Sequence, residues 1–107
     1  MAITDRDIDA KLIARVKEGD DSAFVHLVNK YKELSLSLAH SIIKDRDKAE
    51  DVVQDAFIKV YQKAATFKNE AAFSSWLYRI VVNTAYNALK REDKYRGIDD
   101  LTAVSGS

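Results

Sequence analysis

The stretch Ala49-Glu50-Asp51-Val52-Val53-Gln54-Asp55-Ala56-Phe57-Ile58-Lys59-Val60-Tyr61 decides the fold. Its apolar residues stand at 49, 52, 53, 56, 57, 60 and 61, and Ala64 continues the series. Steps of three and one in turn mark a single buried stripe on a helix, whereas a half-buried strand would alternate. Asp45 stands where a side chain can accept the free amides of the first turn. Asp47 and Glu50 then lie near the positive end of the helix dipole. The reading is a helix over about 46–65.

The same pattern extends in both directions. Upstream, Asp20 or Asp21 caps a helix over about 21–43, with Phe24, Leu27, Val28, Tyr31, Leu34, Leu38, Ile42 and Ile43 as its stripe. Before it, a helix over about 8–18 turns Ile8, Leu12, Ile13 and Val16 inward, with Asp5 or Asp7 as cap and Gly19 as stop. Downstream, Asn69 can cap a helix over about 70–96 carrying Phe73, Trp76, Leu77, Ile80, Val81, Ala85 and Leu89, with Gly97 as its end. Residues 98–107 are small and polar, which predicts a linker stub or disordered tail. Short connectors and the absence of any alternating pattern predict an all-α protein, a compact bundle of about four helices over residues 1–97.

Composition removes many functions. With no cysteine among 107 residues, disulfides, thiolate metal sites and cysteine nucleophiles are excluded. Met1–Ala10 is acidic, unlike a signal peptide, and no apolar run is long enough to span a bilayer. The expected location is therefore cytoplasmic, without membrane insertion. His26 and His40 lie about 21 Å apart along one helix and cannot share a metal. The group Asp45, Asp47, Glu50, Asp51 and Asp55 lacks the glycine turn of a calcium loop. No glycine-rich phosphate loop is present. The expectation is no enzyme: no catalytic residue, no metal, no cofactor and no small-molecule substrate.

The zero net charge hides an asymmetry. Residues 1–58 carry 9 basic and 12 acidic side chains, and residues 59–107 carry 8 and 5. Such a basic segment attracts a polyanion through its local field. Its bland counterpart is a solvated helix end, where the dipole alone favours Lys90, Arg91 and Lys94. On the 46–65 helix, Asp51, Gln54, Asp55, Ile58 and Gln62 share a face that the core does not need. An apolar residue ringed by carboxylates and amides has the make-up of a protein-binding patch; a stray surface isoleucine has it too. Around the next helix start, Phe67, Phe73 and Trp76 are interleaved with small polar residues, and Arg79, Asn83, Asn87 and Lys90 line one face. Aromatic rings stack bases, asparagines bond base edges, and cations bond phosphates. Core packing is the competing reading for Phe73, Trp76 and Ile80.

These strings resemble a known family. AEDVVQDAF at 49–57 and WLYRIVVNTA at 76–85, with Phe67, Phe73-Ser74-Ser75 and the earlier Gly19-Asp20-Asp21-Ser22-Ala23-Phe24, are similar to region 2 of bacterial sigma factors. More narrowly, they resemble the extracytoplasmic-function (ECF) group of the sigma-70 family, over about residues 10–95. The resemblance implies a promoter recognition and melting domain. It implies that Asp51, Gln54, Asp55 and Ile58 dock on the clamp helices of the RNA polymerase largest subunit. It implies that Phe67, Lys68, Asn69, Ser74, Arg79 and Asn83 read the opened minus-ten non-template strand. Lys63, Lys90 and Arg91 then serve as phosphate contacts, and Trp76 supports the base pocket chiefly from the core side. An anti-sigma factor is a further implied partner. The alternative reading is a helical protein-interaction module, binding anti-sigma factor or polymerase without DNA. Two features depart from the family pattern. Phe67-Lys68-Asn69 stands where many members carry Phe-Arg-Gly, and nothing after Gly97 forms the family's C-terminal helix-turn-helix domain. The resemblance thus implies an isolated domain or a truncated relative.

Overall fold

The chain begins with a reciprocal cap. Thr4 Oγ1 accepts from the Asp7 amide at 3.1 Å, while the Thr4 amide donates to the Asp7 carboxylate at 3.2 Å. This capping box satisfies two donors at once and starts the first helix, α1, at Asp5, earlier than the spacing of apolar residues suggested. The backbone amide of Thr4 holds the Asp7 carboxyl below its usual range. The computed structural model describes the backbone of residues 2–105 and the side chains of residues 2–92. Its elements are α1 (Asp5–Lys17), α2 (Asp21–Ile43), α3 (Arg46–Lys63), a 3₁₀ turn (Ala64–Thr66) and α4 (Phe73–Ser105). Among the described residues there is no strand, and no helix is long and apolar enough to cross a membrane.

The helix ends follow from local chemistry. Asp20 caps α2 by accepting from the amides of Ser22 and Ala23. Asp45 caps α3 by accepting from the amide of Lys48. Gly19, just past the end of α1, has φ +92°, a conformation that strains any residue with a Cβ. Two expected boundaries differ. Asn69 does not cap α4: it takes φ +59°, a left-handed conformation that cannot continue into a right-handed helix, so α4 starts later, at Phe73. Gly97 does not end α4, whose backbone stays helical to Ser105. One glycine costs a helix only about 1 kcal/mol, and no proline follows to break it. The expected linker at 98–105 is therefore helical backbone, and residues 106–107 lie outside the described ones.

The four helices close on one core. Leu12 and Ile13 of α1, Leu27 of α2, Val52 and Val60 of α3, and Leu77 and Val81 of α4 are all buried in it. Alanines at 23, 39, 49 and 56 are almost wholly buried. Three expected core positions are instead exposed: Ile8, Leu34 and Tyr61. Polar neighbours take the inward places of the first two, Asp9 for Ile8 and Ser35 for Leu34. Burying Asp9 is tolerable because its carboxylate is bonded twice, by Tyr31 Oη and by Lys30 Nζ at 2.7 Å. Burial opposes the charge on Lys30, but the hydrogen bonds it donates to Asp5 and Asp9 outweigh it and raise its pKa. Burial, and then the bond to Asp9, pushes the Tyr31 phenol far up. The network locks α1 onto α2.

Candidate nucleic-acid and polymerase interfaces

Packing of α3 through Ala49, Val52, Val53, Ala56, Phe57 and Val60 leaves Asp51, Gln54, Asp55 and Ile58 exposed on its other side. Ile58 is 54% exposed in the middle of that face. Asp51 and Asp55 have no ion-pair partner among the described residues, so their charge is free for a partner. Tyr61 extends the face, which sequence reasoning missed by assigning it to the core. Its hydroxyl donates to Asp21 Oδ1 at 2.8 Å, and its ring sits 5.0 Å from that of Phe24. The Asp21 bond raises the Tyr61 pKa and ties the end of α3 to the start of α2.

The loop between the 3₁₀ turn and α4 forms a second site. A cleft of about 220 Å³ opens there. Phe67 and Trp76 form its aromatic wall, with ring centroids 4.9 Å apart. Phe73 packs behind both at 6.0 Å. Lys68, Glu70 and Arg79 bring charge to the cleft, while Thr66, Ala71 and Ser75 complete its lining.

The DNA-contact residues expected from sequence do not all meet at the cleft. Phe67, Lys68, Trp76 and Arg79 meet at the cleft. Phe67 is only 4% exposed, so its ring is the inner wall and keeps no free face for stacking. Ser74 is half-buried and outside the lining; its neighbour Ser75 takes the place, since only the rotation of α4 against the core chooses between them. Asn83, Lys90 and Arg91 are exposed farther along α4, with Arg91 about 18 Å beyond Arg79 at 1.5 Å per residue. By helical spacing Asn83 and Lys90 lie on the Arg79 side of α4, while Arg91 is turned about 100° from Lys90. Lys63 is exposed at the end of α3. Asn69 lies in the loop but outside the lining, and its left-handed φ of +59° explains why glycine suits this position and why asparagine is tolerated. Sequence reasoning missed Arg6 and Lys17 of α1, which bond the loop carbonyls of Asn69 and Phe67. No local pattern signals contacts of such long range. It also missed Lys59, which donates to Thr84 Oγ1 at 3.1 Å and joins α3 to α4 beside Asn83.

Comparison with known proteins identifies the family. The family profile described as sigma-70 region 2 matches residues 27–95. The chain belongs to the sigma-70 region 2 family. It is 42% identical over 95 residues to the RNA polymerase sigma-H factor of Pseudomonas aeruginosa, covering 89% of this chain and 49% of that protein. It is 41% identical over 96 residues to the ECF RNA polymerase sigma-E factor of Escherichia coli K12, covering 90% of this chain and 50% of that one. The ECF grouping expected from the motifs is thus the grouping of its relatives. The region 2 chain spans about half the length of these curated relatives. Among solved structures it resembles an engineered region 2 of sigmaE in complex with GTAAAA, with TM-score 0.76 and 42% identity over 81% of this chain and 90% of that one. It also resembles CnrH, solved in complex with the cytosolic domain of CnrY, with TM-score 0.71 and 30% identity over 76% of this chain and 53% of that one.

Proposed function

We propose that this domain recognises and holds the opened minus-ten element of promoter DNA while the exposed face of α3 docks on the RNA polymerase clamp helices. The observation that carries the reading is the cleft at 66–79, where a half-exposed Trp76 faces an opening flanked by Lys68 and Arg79. Its volume of about 220 Å³ is below that of pockets for drug-sized ligands, about 300–1,000 Å³, and is on the scale of one planar base. The similar engineered sigmaE region 2, solved with GTAAAA, supports a single-stranded ligand.

In mechanism, extruding a base from the duplex costs a few kcal/mol. Stacking on an aromatic face returns about 1–3 kcal/mol per base. Trp76 supplies that face, and Phe67 and Phe73 behind it keep the ring from rotating away. Arg79 and Lys68 neutralise phosphate at the opening, and Asn83, Lys90 and Arg91 continue the contact along α4. Asp51, Gln54, Asp55 and Ile58 meanwhile face away from the core toward polymerase. An anti-sigma factor is a further protein partner; the likeness to CnrH, solved in complex with the cytosolic domain of CnrY, supports a protein partner of this kind. The domain acts by binding and carries no catalytic step, within the cytoplasm where the polymerase works.

The test is fluorescence anisotropy of labelled single-stranded GTAAAA across a salt series. Wild type binds with salt-sensitive affinity. Arg79→Ala weakens binding and lowers the salt slope by about one. Asn83→Ala weakens binding while leaving the slope unchanged. A chain that ignores the oligonucleotide yet binds a clamp-helix fragment supports the alternative, a protein-interaction module without DNA binding.

A further inference from the structure

The family match begins at Leu27, so α1 lies outside it. Yet two cations of α1 grip the loop that borders the cleft. Arg6 Nη2, in the first turn, donates to the carbonyl of Asn69 at 3.2 Å. Lys17 Nζ, in the last turn, donates to the carbonyl of Phe67 and stands 5.8 Å from the centroid of that ring. These residues are about 16 Å apart along the helix axis at 1.5 Å per residue. Their side chains nonetheless converge on two carbonyls of one short loop.

Holding those carbonyls has a geometric consequence. The described peptide bonds are all trans, and a trans peptide sets its N–H opposite its C=O. Carbonyls of Phe67 and Asn69 turned toward α1 therefore turn the amides of Lys68 and Glu70 away from it. Lys68 and Glu70 line the cleft, and neither amide donates within the protein among the described residues. Between them sits Asn69 at φ +59°, a conformation that persists in a non-glycine residue when its surroundings hold it.

We infer that Arg6 and Lys17 are positioning residues for base discrimination: from behind the loop, they aim the Lys68 and Glu70 amides at the edge of a base in the cleft. The inference rests on the reading of that cleft as a base site. Neither cation touches the ligand. They act on which base is preferred rather than on overall attraction to the strand.

The experiment compares GTAAAA with hexamers altered at one base, using wild type, Lys17→Met, Lys17→Arg and Arg6→Gln. Lys17→Met should reduce the affinity ratio between matched and altered hexamers by about fivefold, the scale of one lost hydrogen bond. Affinity for the altered hexamers should stay near wild type, and Lys17→Arg should restore the ratio. The ¹⁵N–¹H signals of Lys68 and Glu70 should move in Lys17→Met without DNA, with the helical circular dichroism intact. Arg6, exposed at the surface, can be changed without opening the core, so Arg6→Gln decides the matter where Lys17→Met fails to fold. Wild-type discrimination in folded Lys17→Met or Arg6→Gln overturns the inference alone. A wild type that binds none of the hexamers overturns the base-site reading as well.

Discussion

Phe67 and Trp76 pack ring to ring at 4.9 Å between centroids, yet only Trp76 keeps substantial contact with solvent. Two aromatics from one motif therefore do different work. Phe67→Ala should cost about 3–5 kcal/mol by opening a cavity in the core, measured by urea denaturation. Phe67→Leu conserves most of the volume and should leave GTAAAA affinity within about twofold. Trp76→Leu should weaken that affinity about tenfold by removing the stacking face. Equal effects of the two leucine variants on binding would refute the division.

Asn69 occupies a left-handed conformation, φ +59°, inside the recognition loop. Asn69→Gly should be close to neutral in stability, because glycine adopts this conformation freely. Asn69→Val should lose about 1–2 kcal/mol, since a β-branched side chain clashes there. Thermal melts of the three chains check the order; a valine variant as stable as wild type would show that the loop is free to rearrange.

The face of α3 offers a clean separation of binding from stability. Gln54 and Asp51 are exposed and pack against nothing in the core. Gln54→Ala and Asp51→Arg should shift stability by less than about 0.5 kcal/mol. Both should weaken capture of a clamp-helix fragment in a pull-down or titration. A collapse of the melting transition in Gln54→Ala would place this face in the core and remove the polymerase surface.

Acid should act partly through Asp20. Hydrogen bonds from Ser22 and then Arg15 hold its carboxyl down to about 2, from an ordinary value of 3.8. A carboxyl lowered by folding stabilises the native state above the unfolded value, and that stabilisation fades as pH falls toward the folded one. Asp20→Asn keeps a neutral cap but loses the charge-assisted bonds. The variant should be less stable than wild type at pH 7, and the gap should close between pH 4 and about 2. A gap that stays constant across this range would assign the effect to shape rather than charge.

What was legible in the sequence is what depends on near neighbours. Asp20 and Asp45 as caps, Gly19 as a stop, and the apolar stripe of α3 all rest on contacts within about one helical turn, which spacing alone encodes. The exposed α3 face followed from the same periodicity. Where one residue's chemistry opposed the stripe, the sequence misled: Asp9 went in and Ile8 out, because Tyr31 and Lys30, distant in sequence, satisfy the carboxylate. The cleft was likewise beyond local reading. Its wall needs Phe67 turned into the core, Ser75 rather than Ser74 at the lining, and Arg6 and Lys17 reaching across from α1. Those depend on the rotation and offset of whole helices, set by how their buried stripes interlock, and no spacing along the chain records that.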